Sequence, residues 1–140
     1  MLTAPPPATH TPFASMWWRA TALRVRDGDT IEVLARGPWH GRQEIVVRLL
    51  GIQAPETRAP ASLEERRAGE SARSYLVSLV EGKDCLVRTE RPDAYHGRWD
   101  GDVVVVSGED RINVAEALLG AGHATTYDGR GKAPRWPWKE

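Results

Sequence analysis

Two carboxylates flank a glycine in the stretch RVRDGDTIEV (residues 24–33), at the junction of two strand-like runs. Asp-Gly between alternating apolar segments is first a hairpin signal, since glycine supplies the φ > 0 conformation of a tight primed turn. Val25 on one side, and Ile31 and Val33 on the other, give the period-two alternation of strands. This accounts for Asp27 and Gly28. It leaves Asp29, a poor strand former placed just past the turn, as either a solvated edge or a member of a site. Three other charges stand near strand ends where the fold has no evident need of them. They are Arg48 inside EIVVRLLGI, Glu56 after Pro55, and Arg98 in DAYHGR. Singly, each has a plainer reading, as a neutralised ion pair, a loop cap and a solvated turn residue. Together they are the parts for metal-assisted phosphoryl transfer. Hard oxygens hold Ca²⁺ or Mg²⁺, a carboxylate orients or deprotonates water, and guanidiniums neutralise the pentacoordinate phosphate.

The elements that must position these residues follow from pattern. Trp17–Arg26 and Thr30–Ala35 read as a hairpin closed by Asp27-Gly28, and the polar loop RGPWHGRQ leads to a third strand. That strand is almost continuously apolar, as for a strand buried on both faces, and Pro55 ends it. Ser62 with Glu65 has capping-box spacing, so a helix is predicted to about Val80, with Ala68, Ala72, Leu76, Leu79 and Val80 inward and Arg66, Arg67 and Arg73 outward. Gly82 stops it. Cys85–Thr89 and Asp102–Val106 read as two more strands, and Asn113 opens a short helix ending near Gly120 or Gly122. Five short strands interrupted by a helix fit a small closed barrel, for which the five-stranded oligonucleotide/oligosaccharide-binding barrel is one option.

With 140 residues, 41% hydrophobic and 27% charged, the chain suits one globular domain. Lys+Arg and Asp+Glu are equal at 19 each, which argues against long-range steering onto a polyanion but leaves room for a local basic patch. The single cysteine, Cys85, sits in an apolar run and reads as a buried thiol. Residues 1–16, rich in proline, are expected to form a disordered leader, with Met16 an alternative start; no secretion signal or spanning segment is evident, so a soluble intracellular monomer is expected. Residues 128–140, with Trp136 and Trp138, are expected to wrap the surface without regular structure.

DGDT (27–30), RLLGIQAPET (48–57), the helix GESARSYLVSLVEGK (69–83), DAYHGR (93–98) and NVAEALLGAGHA (113–124) together resemble the staphylococcal nuclease (thermonuclease) family, in order, from about Trp18 to Tyr127. The resemblance implies an α+β fold, an OB-fold-like five-stranded barrel with two to three helices over residues 17–127. It implies metal-dependent hydrolysis of DNA or RNA phosphodiesters with little sequence preference. It also implies roles for residues. Asp29 is a Ca²⁺ ligand and Asp27 supports the ion through water; Arg48 contacts the scissile phosphate; Glu56 is base or positioner for the attacking water; Arg98 stabilises the transition state and leaving group. Tyr95 and Tyr127 match tyrosines of the nucleotide pocket, where a base can stack; packing on the barrel wall is the equal alternative.

Two departures stand out. Gln53 occupies the place of a family aspartate that binds Ca²⁺ directly. Its amide oxygen is an acceptable ligand but brings no charge, so weaker metal binding is expected. Ala54, beside it, replaces a threonine that lends only its backbone carbonyl. His96 is an apparent insertion before Gly97-Arg98, expected to be an exposed loop residue. The reading from another class is a barrel that binds nucleic acid or protein without cleaving it.

Overall fold

The computed structural model describes residues 16–37, 41–93 and 97–138. In chain order these form β1 (Trp17–Asp27), β2 (Thr30–Arg36), β3 (Arg42–Leu49), β4 (Ile52–Gln53), α1 (Leu63–Val80), β5 (Asp84–Pro92), β6 (Arg98–Ser107), β7 (Asp110–Asn113), α2 (Val114–Gly120) and β8 (Thr125–Thr126). Antiparallel pairing lays strands out as β3-β2-β1-β5-β6, and a parallel pairing of β3 with β6 closes them into a five-stranded barrel. Its interior is branched aliphatic, as pleated walls prefer: Val25, Ile31, Val33, Val47, Leu49, Val87, Val103 and Val105 are fully buried. Leu76 and Val80 of α1 and Val114 and Leu118 of α2 plug the same core.

Several elements differ from their sequence-based outlines. β3 is not buried on both faces. Val47 and Leu49 point inward, Ile45, Val46 and Arg48 are half-buried, and its first three residues are exposed. It stops at Leu49, and a turn through Gly51 (φ +82°) leads to β4 before Pro55. β5 and β6 extend well beyond their apolar stretches, because paired backbone continues where the side chains turn polar. β7 was not legible as a strand, since Asp110-Arg111-Ile112-Asn113 is polar and exposed to half-buried.

α1 begins as expected at Ser62, whose Oγ accepts from the Glu65 backbone N–H at 3.0 Å. The Glu65 carboxylate accepts from Ala61 N–H, one residue further back than a strict capping box. Its buried stripe is Glu65, Gly69, Ala72, Leu76 and Val80, rotated from the expected one so that Ala68 and Leu79 are only half-buried. That rotation adds Gly69 to the buried face beside Ala72.

Candidate active site

The hairpin turn consists of Gly28 and Asp29, with Asp27 and Thr30 paired behind it. Gly28 does not adopt a left-handed φ, so the turn chemistry expected of it is not why glycine is there. A Cβ on Gly28 would lie 2.9 Å from Ala72 Cβ and 3.0 Å from Ala54 Cβ. The turn is pressed onto α1 and the Ala54 segment, and only glycine permits the approach. Asp29 is thereby buried, 8% exposed. Its Oδ1 accepts from Thr30 Oγ1 at 3.0 Å and its Oδ2 from Ala54 N–H at 3.3 Å. Asp29 is thus a buried wall of the cleft, not a solvated edge.

Arg48 lies opposite Thr30 across β2–β3 and reaches the same place. Its Nη2 is 3.5 Å from Asp29 Oδ2 and donates to Gln53 Oε1 at 2.8 Å. Nη1 donates to Leu49 O at 2.7 Å, and both Nη atoms approach Ile52 O at 3.2 Å. A half-buried guanidinium is thus satisfied chiefly by backbone oxygens and aimed at one carboxylate. Gln53 in turn donates Nε2 to Ala54 O at 3.2 Å. The pairing of β4 with β8, Gln53 opposite Thr125, fixes this strand, and Tyr127 N–H donating to Gly51 O continues the joint.

Glu56 sits on the loop after β4, and α1 determines where that loop runs. A Cβ on Gly69 would meet Thr57 Cγ2 at 2.6 Å, Pro55 O at 2.9 Å and Glu56 O at 3.2 Å. From the other side, Thr57 Oγ1 donates to Asp27 Oδ1 at 3.1 Å. The Glu56 residue is exposed overall, yet partial burial of its carboxyl and the charges of Asp29 and Asp27 raise its pKa. Arg98 opens β6, and its Nη2 donates to Asp93 Oδ1 at 2.8 Å.

Asp27, Asp29, Arg48, Gln53, Glu56, Arg98 and Tyr127 all line one cleft of about 700 Å³. Ala54 is buried behind it. Tyr95 and His96, with residues 1–15, lie outside the described residues. Arg26 and Arg58 also line the cleft and were missed from sequence. Arg26, paired with Glu32 at 2.6 Å, looks in sequence like any surface strand charge; Arg58, two residues past Glu56, had adjacency as its one available signal. Residues 128–138 form no helix or strand, Ala133 reaches the cleft wall, and Trp136 and Trp138 are half-buried.

The family model described as "Staphylococcal nuclease homologue" matches residues 46–135, well over half of the chain. The chain belongs to the staphylococcal nuclease family. Among relatives of that family, a protein named "Uncharacterized endonuclease" from Escherichia coli O157:H7 is 34% identical over 106 residues, covering 76% of this chain and 59% of the relative. "Protein ParB" of Escherichia coli is 34% identical over 120 residues, 82% of this chain and 60% of its own length. "Probable staphylococcal-like nuclease CAN1" of Oryza sativa subsp. japonica is 33% identical over 105 residues, 73% of this chain and 28% of its own. The chain therefore spans about three fifths of the two bacterial relatives, and far less of the rice protein.

Staphylococcal nuclease-type chemistry calls for a divalent cation, and the donors here are chemically suited to a hard one. Asp29, Gln53 and Asp27 line the cleft, and the Ala54 carbonyl, which accepts from the Gln53 amide, lies buried behind it. The charge count is low: among the described residues no three carboxylate, imidazole or thiol groups converge as a ready-made cage. Ligation through Gln53 and Ala54 exchanges the hydrogen bonds that these oxygens accept from Arg48 and from the Gln53 amide.

Proposed function

We propose that the chain is a metal-dependent nuclease hydrolysing phosphodiester bonds of DNA or RNA with little sequence specificity. The observation that carries this reading is the convergence of Asp29, Arg48, Glu56 and Arg98, from the β1–β2 turn, β3, the loop after β4 and β6, on one cleft. Asp29, Gln53 Oε1 and Ala54 O, with Asp27 in support, would hold a Ca²⁺, which would supply Lewis-acid polarisation of a phosphate oxygen.

The chain's own residues do the remainder. Glu56 accepts a proton from the attacking water as the water oxygen forms its bond to phosphorus. Its raised pKa makes it a stronger base than an ordinary glutamate, once ionised. Arg48 and Arg98 neutralise the charge that builds on the phosphorus oxygens as the ester P–O bond breaks. Arg48 is pre-aimed by Leu49 O and Ile52 O, which stay its partners when Gln53 turns to an ion, so little reorganisation is needed at the moment of reaction. Arg26 and Arg58 on the cleft wall suit flanking phosphates, which carry no sequence information and fit a nonspecific enzyme. Tyr127, also on the wall, offers a face for a base.

The second reading, a barrel that binds without cleaving, draws on Gln53 Oε1 being engaged by Arg48 rather than presented to an ion. Incubating the pure protein with single-stranded DNA and RNA, with Ca²⁺ or with chelator, separates the two. Chelator-sensitive cleavage is the expected result; binding without cleavage at any Ca²⁺ concentration overturns the nuclease reading.

A further inference from the structure

The outer wall of the barrel carries a row of like charges at its far end from the cleft. Strand register sets Arg19 of β1 opposite Arg36 of β2, and Arg36 opposite Arg42 of β3. Residues paired directly share a face, and here it is the outer one, since Ala20 beside Arg19 is buried in the core. All three arginines are exposed. Arg36 Nη2 donates to Thr21 Oγ1 at 3.1 Å, which lays its side chain back across β1. Among the described residues, none of the three is ion-paired with a carboxylate. Glu44 and Asp84 stand one row further along, opposite Leu34 and Thr21. Like charges set directly opposite destabilise a sheet, so this row costs the fold something that an incoming anion removes.

A groove of about 400 Å³ on the same wall is lined by Arg19, Arg36, Leu86 and Val106, with Asp84 and, from β7, Arg111. Trp17, two residues from Arg19 on the same face of β1, is 47% exposed, and the Arg88 guanidinium lies 5.8 Å from its ring centre. The β2–β3 pairing has no bulge, so Arg42 and the cleft residue Arg48 share one continuous face of β3.

We propose that this wall is a second nucleic-acid contact, taking backbone phosphates of a strand whose other part lies in the cleft. The proposal rests on nucleic acid being what the cleft binds, and its test separates the two ideas. Three features select a nucleic-acid strand. Guanidinium pairs bidentately with phosphate oxygens. Cations on neighbouring strands repeat every ~4.8 Å, and such a line meets a chain of phosphates better than one small anion. Trp17 offers an indole face beside the row for a base to stack on, which an acidic peptide does not use. Arg36 lies six residues along β2 from Thr30 at the cleft, roughly 20 Å away. Barrels of this kind hold about 4–16 nucleotides, and at about 3.4 Å or more for each nucleotide only the longer strands reach both places.

The test is the anisotropy of labelled single-stranded DNA, about 4 or about 16 nucleotides long, bound to the full chain with chelator present. In Arg19→Gln/Arg36→Gln/Arg42→Gln the ratio of affinities, long strand over short, should fall about tenfold at low salt. Each phosphate contact on a single strand contributes about 0.7 to the slope of log K against log salt, so the long-strand slope should fall by about two. Arg19→Gln alone should lower it by about 0.7, which decides the matter should the triple variant not fold. Trp17→Ala should weaken the long strand and leave the slope alone. An unchanged ratio and slope overturn the proposal. A polyglutamate peptide that displaces the long strand as well as unlabelled DNA does overturns it too, in favour of an acidic protein partner. If binding behaves as described but added Ca²⁺ brings no cleavage, the wall stands and the nuclease reading fails. If cleavage is seen and long-strand binding ignores the substitutions, the nuclease reading stands and the wall fails.

Discussion

Arg48 Nη2 lies 2.8 Å from Gln53 Oε1 but 3.5 Å from Asp29 Oδ2. The neutral amide, not the carboxylate, is the nearer anchor of the guanidinium. Position 53 therefore bears both on the charge available to a cation and on the aim of Arg48.

Replacing Gln53 by aspartate adds a carboxylate to that junction. Affinity for Ca²⁺ follows ligand charge count, so Gln53→Asp should lower the Ca²⁺ concentration for half-maximal cleavage by about tenfold, equivalent to about 1.4 kcal/mol. A Ca²⁺ titration of activity, paired with calorimetric Ca²⁺ binding, measures it. Unchanged values in both would remove position 53 from the metal site.

In the proposed reaction, Arg48→Ala removes charge and Glu56→Ala a proton acceptor at the reacting phosphate. Each should lower kcat about a hundredfold at saturating Ca²⁺, within the range for removing one stabilising donor or one general base. Steady-state kinetics with a short oligonucleotide distinguishes this from a KM effect. A change confined to KM would assign them to uniform binding instead.

Gly69→Ala tests whether α1 sets the Glu56 loop. Alanine favours the helix by up to about 1 kcal/mol, but overpacking costs about 1–3 kcal/mol, and the nearest backbone atom, Pro55 O, would be only 2.9 Å from the new Cβ. Overpacking should win. Tm should fall by about 2–5 °C and kcat by about tenfold, since Glu56 rides on the displaced backbone. A Tm rise with unchanged kcat would show that the loop yields freely.

Asp100 on β6 leaves a mark on stability. Burial and the neighbouring Asp93 carboxylate push its folded value up to about 6, above its ordinary 3.8, so the folded state holds the proton more tightly than the unfolded chain. Its stabilising contribution is complete below 3.8 and is lost as pH rises through about 6. Asp100→Asn removes that loss. The Tm difference between variant and wild type should shift in the variant's favour as pH rises through this window, as thermal melts in matched buffers would show. A constant difference across the window would contradict the raised value.

The charges at strand ends were legible because they conflict with local propensity: Asp29 beside a turn and Arg48 within an apolar run ask for partners on their face. The barrel was legible because its walls alternate in the ordinary way. What escaped depends on distances between elements. Gly28 reads as turn chemistry in one dimension, and only the placement of Ala72 shows that it is a contact glycine. Gly69 inside a helix carries no signal until the loop above it is known. Arg26 and Arg58 share their residue type with many solvated arginines, and Asp100 acquires meaning only when the β5 bulge brings Arg91 across from it.

The parallel joint between β3 and β6 has a consequence for how the protein comes to life. It unites the two outer edges of the sheet β3-β2-β1-β5-β6, and only with it does the barrel wall become continuous. Across that seam Arg48 faces Asp100, and Arg98 begins the strand that completes it. A refolding chain can therefore possess its hairpins, its helices and much of its core while its two guanidiniums are still apart. The cleft is therefore complete only on closure, which carries the entropic cost of a long-range loop, and not by degrees as secondary structure accumulates.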